Sequence, residues 1–320
     1  VGEGNTSHAS PKADFAKTGP VCYNHATITQ GGVFDMEIRK VGVVGCGLMG
    51  SGIVEVVAKA GYPVVVREVN DDFLNKGLNR IRGSMSKAVE RGKLSQVDME
   101  AAWDRIVGTT DMNAFDECDL VVEAAIENLD LKKEIFAQLD KITPPHAILA
   151  SNTSSLSITT MASVTRRPDK VLGMHFFNPV PVMPLLEMVR TLLTSEETFA
   201  TAREFGEKRL GKTVVVAKDN PGFIVNLLLV PYLLDAVRAL ELGVATKEDI
   251  DTGVKLGLNH PMGPLTLLDF VGLDTTLFIA DAMFEEFKDA RYAAPPLLRR
   301  MVTAGLHGRK SGRGFYDYSK

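Results

Sequence analysis

Apolar and polar positions alternate along most of the chain between short apolar runs and longer amphipathic segments. Residues 40–44 form a β-rich run, and residues 64–66 form another that ends in Arg67 and Glu68. Between them Ile53, Val56, Val57 and Ala60 recur at i, i+3, i+4 and i+7, the stripe of a core-facing helix. Gly61 is placed to stop that helix as a left-handed C-terminal residue. Further strand-like runs follow at 120–123, 147–151, 171–177 and 213–217, and residues 185–189 are extended as well. Strands alternating with helices predict a parallel sheet with helices on both faces. Residues 71–105 predict a long helical insertion, polar and basic from Arg80 to Lys93. After Lys218 the strand signal ends. Asp219-Asn220-Pro221 reads as the start of a long helix with Pro at its first position, and helical segments continue to about Ala304. The expected domains are an α/β domain over 36–218 and an all-helical domain over 219–320.

Residues 1–35 break the pattern. They are rich in Gly, Ser, Thr and Asn and lack any apolar period. Neither the apolar core of a secretory signal nor the arginines of a transit peptide are present. A tail is expected there, with Met36 as a natural start before the first strand; added sequence, an over-extended reading frame and a functional arm are the alternatives. With 45% apolar and 24% charged residues, collagenous, low-complexity and largely disordered classes are excluded. A net charge of −4 leaves no basic balance to hold nucleic acid or an anionic membrane. The longest apolar stretch, residues 223–234, is broken by Asn226 and Pro231 and falls short of the ~20 residues of a bilayer span. Cys22, Cys46 and Cys118 lack metal-ligand spacing and fit a reducing compartment. A cytoplasmic protein is expected, with the mitochondrial matrix also open.

Gly45-Cys46-Gly47-Leu48-Met49-Gly50 is a GxGxxG directly after a strand and opening a helix. The first glycine allows a tight turn, the second lets backbone approach a pyrophosphate, and the third permits close helix–strand packing. The helix N-terminus then offers free amides to phosphates. Glu68, 18 residues after Gly50, stands where a carboxylate would bond ribose hydroxyls. A bound dinucleotide is expected, against a Gly-rich turn without ligand. Glu68 favours NAD over NADP. Arg67 beside it is either a surface cation or a residue that blurs this choice.

His175 closes a very apolar strand and is either a satisfied core residue or a functional one. Period-2 alternation puts Glu187 on one face with Leu185 and Val189, where a carboxylate is costly unless paired. His175, 12 residues earlier across a Pro-rich loop, is the candidate partner; the pair would orient the imidazole for general-base work. Ser151-Asn152-Thr153-Ser154-Ser155 follows a strand at the end where ligands of open α/β sheets bind, and reads equally as a plain turn and helix cap. Asn226 is the sole amide in an apolar helical stretch, and its partner is another helix or a substrate oxygen.

These segments together resemble the short-chain L-3-hydroxyacyl-CoA dehydrogenase family, which includes 3-hydroxybutyryl-CoA dehydrogenases. The resemblance rests on GCGLMG with Glu68, ASNTSS (150–155), HFFNPVPVM (175–183), Glu187, PGFIVN (221–226) and HPMGPLTLLDFVGLD (260–274). It runs from about Met36 to Tyr318. It implies an NAD-binding Rossmann-type domain followed by an all-α domain that forms a homodimer. It further implies His175 as catalytic base, Glu187 as its orienting carboxylate, and Ser154 and Asn226 as bonding the reacting substrate oxygen. Glu127 and Lys132 match positions that contact NAD, Asn178 lies beside the nicotinamide, and Lys310 matches a cofactor-side lysine. Ser84 and Arg91 fall where the family binds coenzyme A, Arg91 replacing the usual lysine. The family usually places arginine after the helix asparagine, where this chain has Leu227, so no ion pair or dimer contact of that helix carries over. The implied reaction is reversible oxidation of an L-3-hydroxyacyl-CoA by NAD, with no metal. Its rivals are a dehydrogenase of a free hydroxy or sugar acid, of the L-gulonate dehydrogenase and lambda-crystallin type, and a non-catalytic NAD-binding protein.

Overall fold

The computed structural model describes residues 37–319, so the expected tail, Met36 and Cys22 lie outside the described residues. Seven extended runs and one further segment form eight strands: β1 (Val41–Val44), β2 (Val64–Arg67), β3 (Ile106–Thr109), β4 (Leu120–Glu123), β5 (Ile148–Ser151), β6 (Val171–Phe176), β7 (Leu185–Arg190) and β8 (Thr213–Lys218). They form one sheet in the order β3-β2-β1-β4-β5-β6-β7-β8. The central strands β1, β4 and β5 are buried along their whole length, which is why they read as unbroken apolar runs.

The helices are α1 (Leu48–Lys59), α2 (Asp71–Glu90), α3 (Gln96–Trp103), α4 (Leu129–Ile142), α5 (Ile158–Ala162) and α6 (Glu196–Glu204), followed by α7 (Val225–Glu241), α8 (Lys247–Gly257), α9 (Pro264–Val271), α10 (Leu273–Phe287) and α11 (Pro296–Thr303). One face of the sheet packs Val41 and Val43 against Ile53, Ile81 and Phe199 of α1, α2 and α6. The other packs Val44 and Val121 against Phe136 and Leu139 of α4 and Met161 of α5. A third core, built on Leu233, Leu234 and Val237 of α7 with Leu265, Met283 and Leu298, belongs to the helical half. Strand order 3-2-1-4-5-6 with helices on both faces is the Rossmann arrangement, and chains of this kind bind ligands where the order reverses, between β1 and β4.

Three sequence expectations need correction. The sheet is not wholly parallel: β6 and β7 are antiparallel, because residues 177–184 are too few for the crossover of about a dozen that a parallel pair requires. β3 was not expected. It sits at the sheet edge with Val107 exposed, so it lacks the apolar run that marks its neighbours. Finally, Pro221 does not open a helix. Gly222 and Phe223 both have positive φ, 81° and 48°, and α7 starts only at Val225. Asp219 instead accepts from Ile158 N at 2.9 Å and Thr159 N at 2.6 Å, capping α5 from a distant part of the chain.

Candidate active site

The GxGxxG turn is shaped by contacts at two of its glycines. Gly45 has φ +95° and a Cβ there would lie 2.7 Å from the Ala124 carbonyl; a Cβ on Gly50 would lie 1.9 Å from the Gly45 carbonyl. Gly47 differs, since a Cβ there would meet nothing within 4 Å. Open space stands above Gly47, which caps α1 without a side-chain bond to its first amides. Leu48 and Met49 follow as the first two residues of that helix. A cavity of about 720 Å³ opens at this point, lined among others by Gly45, Gly47, Glu68, Phe73, Ala124 and Ile126. Glu68 accepts from Cys46 N and Val69 N, both at 2.8 Å. A carboxylate has about four lone-pair positions, so two remain for ribose hydroxyls. Arg67 does not stand free in solvent: its Nε donates to the Thr110 carbonyl at 3.2 Å. The residues present fit a dinucleotide.

The second half of the site lies at the ends of β5, β6 and β7. The antiparallel register puts His175 directly opposite Glu187, and Nδ1 lies 2.7 Å from Glu187 Oε2. The carboxylate's other oxygen accepts from Ile224 N at 3.1 Å and Val225 N at 2.8 Å. Glu187 thus caps α7 while holding the histidine. An ionised carboxylate only accepts, so His175 donates to it from Nδ1, and the neutral imidazole then keeps its lone pair on Nε2. Phe177 and Phe223 lie against the ring in tilted contacts, at 4.6 and 5.6 Å between centroids. Asn226 follows in the first turn of α7, half-buried and with no side-chain hydrogen bond among the described residues.

The Ser151–Ser155 segment is tied to the histidine strand, since Asn152 Oδ1 accepts from Phe176 N at 2.9 Å. Within it, Ser154 N and Oγ both donate to Glu127 Oε1, at 2.8 and 3.2 Å. Lys132 is buried and paired with Glu123 at 2.6 Å. A cleft of about 130 Å³ brings together Leu48, Arg80, Ser84 and Asn178. Arg91 stands two turns beyond Ser84, at the C-terminal cap of α2. Lys310 is on the helical half, 2.6 Å from Asp274, and does not line the large cavity. The sequence reading gave no individual role to Glu123, Asn152, Arg80 or the two phenylalanines, although Asn152 and Arg80 lie in segments it singled out. Of these Glu123 had a visible signal, a carboxylate ending a buried strand beside the ligand-binding end of the sheet.

Comparison with known proteins agrees with this geometry. Residues 40–220 match the model of the 3-hydroxyacyl-CoA dehydrogenase NAD-binding domain, and residues 222–318 match that of the 3-hydroxyacyl-CoA dehydrogenase C-terminal domain. The chain is 54% identical over 282 residues to a 3-hydroxybutyryl-CoA dehydrogenase of Mycobacterium tuberculosis, covering 88% of this chain and 99% of the relative. It is 46% identical over 288 residues to the human mitochondrial hydroxyacyl-coenzyme A dehydrogenase, covering 88% and 91%. The crystal structure of M. tuberculosis FadB2 superposes with a TM-score of 0.87 at 54% identity, covering 88% of this chain and 99% of that one. The chain belongs to the 3-hydroxyacyl-CoA dehydrogenase family, and it is an oxidoreductase built on that family's two domains.

Proposed function

We propose that this protein catalyses the reversible, NAD-dependent oxidation of a short-chain L-3-hydroxyacyl-CoA, 3-hydroxybutyryl-CoA above all, to the 3-ketoacyl-CoA. The observation that carries the reading is the His175–Glu187 pair, a buried imidazole with one nitrogen fixed at 2.7 Å and the other free. A bound NAD⁺ would supply the acceptor for the hydride that leaves C3 of the substrate. His175 Nε2 accepts the hydroxyl proton, and Glu187 offsets the charge that then develops on the ring. Proton transfer of this kind contributes about 10²–10⁴ in rate. Ser154 Oγ and the Asn226 amide hold the substrate oxygen where negative charge grows, as an oxyanion site does.

Gly45, Gly47, Leu48, Met49 and Gly50 would hold the pyrophosphate, Glu68 the ribose, and Asn178 would serve the nicotinamide side. Glu68 repels a 2′-phosphate, which favours NAD over NADP. Ser84 and Arg91, on one face of α2, take the coenzyme A. The helical half leaves Leu228, Leu242, Leu256, Leu258, Phe270 and Phe278 exposed. That load of large apolar side chains supports a homodimer, so sedimentation should give twice the monomer mass, and a monomer would end this part of the reading.

The substrate assignment is tested by supplying acetoacetyl-CoA, longer 3-ketoacyl-CoAs and free 3-keto acids in turn, each with NADH and with NADPH. Turnover should be highest with acetoacetyl-CoA and NADH. Preference for a free acid, or for NADPH, would overturn it.

A further inference from the structure

Lys212, just before β8, is a buried ammonium that neither the proton nor the hydride chemistry uses. Its hydrogen-bond and ion-pair partners among the described residues include no carboxylate. Burial, and after it the neighbouring Lys59, push its pKa down from the ordinary value, so the site opposes the charge it holds. Its bonds go instead to one loop: Nζ donates to the Val180 carbonyl at 2.6 Å and to the Met183 carbonyl at 2.8 Å. That loop, residues 177–184, joins the strand of His175 to the strand of Glu187. Pro179, Pro181 and Pro184 bring it no N–H, and the amides of Val182 and Met183 both go to the Pro179 carbonyl at 2.9 Å. The carbonyls of Val180 and Met183 therefore take their donor from outside the loop. Packing holds the loop little, since Val180 alone of its residues is buried. Yet through Asn178, Pro179, Val180 and Pro181 it forms a wall of the cleft that Ser84 lines from α2.

We propose that Lys212 is a positioning residue for the reaction, holding the 177–184 loop as the cleft wall where acyl-CoA meets the nicotinamide side of the site. The inference rests on the reading of Asn178 and Ser84 as the groups that serve those two ligands. The anchor itself is fixed: Lys212 N donates to the Gly206 carbonyl at 3.0 Å, and Thr213 N to the Pro184 carbonyl at 2.8 Å. On the opposite side α1 backs onto the loop, where a Cβ on Gly52 would lie 2.8 Å from Val180 Cβ. An apolar side chain at position 212 would be easier to bury than an ammonium, but it would strand the Val180 carbonyl. A reactant misplaced by about 1 Å costs on the order of 10²-fold in rate, and Lys212 removes that freedom from the loop.

The test compares Lys212→Met, which keeps the length and loses the donors, with Lys212→Arg, which keeps donors and charge. Lys212→Gln, uncharged and too short for both carbonyls, replaces Lys212→Met should that variant not fold. The readouts are kcat and KM for acetoacetyl-CoA with NADH, and hydrogen exchange of the loop amides followed by mass spectrometry. In Lys212→Met, exchange at Val182 and Met183 should quicken by roughly tenfold or more while β6 and β7 stay protected. Its kcat should fall roughly 10–100-fold and its KM should rise severalfold, and Lys212→Arg should recover most of both. A lysine that serves only the fold would loosen loop and sheet alike and leave the KM of the folded protein unchanged, which would overturn the proposal. So would a loop that exchanges no faster, or a Lys212→Arg enzyme no better than Lys212→Met. Asn178→Ala and Ser84→Ala test the underlying reading separately. If neither changes kcat or KM, that reading falls, and the positioning role with it.

Discussion

At the scale of single residues, Glu187 serves the fold and, in the proposed mechanism, the chemistry as well. It is fully buried and receives three N–H donors, one from His175 and two from the start of α7. Replacing it tests the two roles separately. Glu187→Ala strands the buried donors, at about 1–3 kcal/mol each, so both melting temperature and activity should fall. Glu187→Gln keeps one acceptor oxygen for the α7 amides but turns an NH₂ towards Nδ1. The histidine must then accept there and carry its proton on Nε2, where it is useless as a base. Turnover should drop on the order of 10²–10⁴-fold while the melting temperature stays near that of the parent; thermal melts and kcat on one preparation decide it. The pairing of His175 with Glu187 was legible because a carboxylate on an apolar strand face requires a partner. The capping of α7 by Glu187 was not, because nothing in a local pattern places residue 187 beside residues 224 and 225. Burial pushes the thiols of Cys46 and Cys118 up, to about 11 and about 12, which makes both poor nucleophiles.

At the scale of elements, the turn from β1 into α1 divides its work among glycines in a way the motif alone does not disclose. Gly50 is needed by the fold, since a side chain there collides with the Gly45 carbonyl. Gly47 has an ordinary φ of −68° and open space where a side chain would go. Gly50→Ala should therefore lower the melting temperature and the yield of folded protein. Gly47→Ala should melt like the parent yet bind NADH more weakly, as titration of NADH fluorescence would show. Equal effects of the two on stability would contradict this division. Elements with local signals were readable: the apolar central strands, the stripe of α1 and the stop at Gly61, which does adopt φ +94°. The edge strand β3 and the late start of α7 were not. The first is decided by pairing with β2. The second is decided by left-handed backbone at Gly222 and Phe223 and by Asp219 serving α5 instead.

At the scale of the whole molecule, the sheet brings distant segments to one end. The cofactor cavity opens where β1 and β4 diverge, and the Ser154 loop, His175 and Glu187 follow at β5, β6 and β7. The helical half closes on this end through Phe223 against His175 and through the α7 amides on Glu187. Its own core is locked by buried carboxylates. Asp251 accepts from Leu265 N at 2.7 Å and Thr266 N at 2.9 Å, capping α9, and Asp269 accepts from Phe315 N and Tyr316 N, both at 2.9 Å. Neither acceptor role was legible in the sequence, because each depends on chain that is distant in sequence. In the proposed function a mildly acidic protein holds an anionic coenzyme ester through the local cations Arg80 and Arg91 with Ser84, the net charge of −4 being spread over the whole chain. All of this converges on one proton acceptor. The most direct test is the decay of NADH absorbance on addition of acetoacetyl-CoA, for the parent protein and for His175→Gln, with NADH binding measured on both. The parent should consume NADH, and the variant should bind NADH normally while losing turnover on the order of 10²–10⁴-fold. No consumption by the parent, or undiminished turnover by the variant, would contradict the assignment.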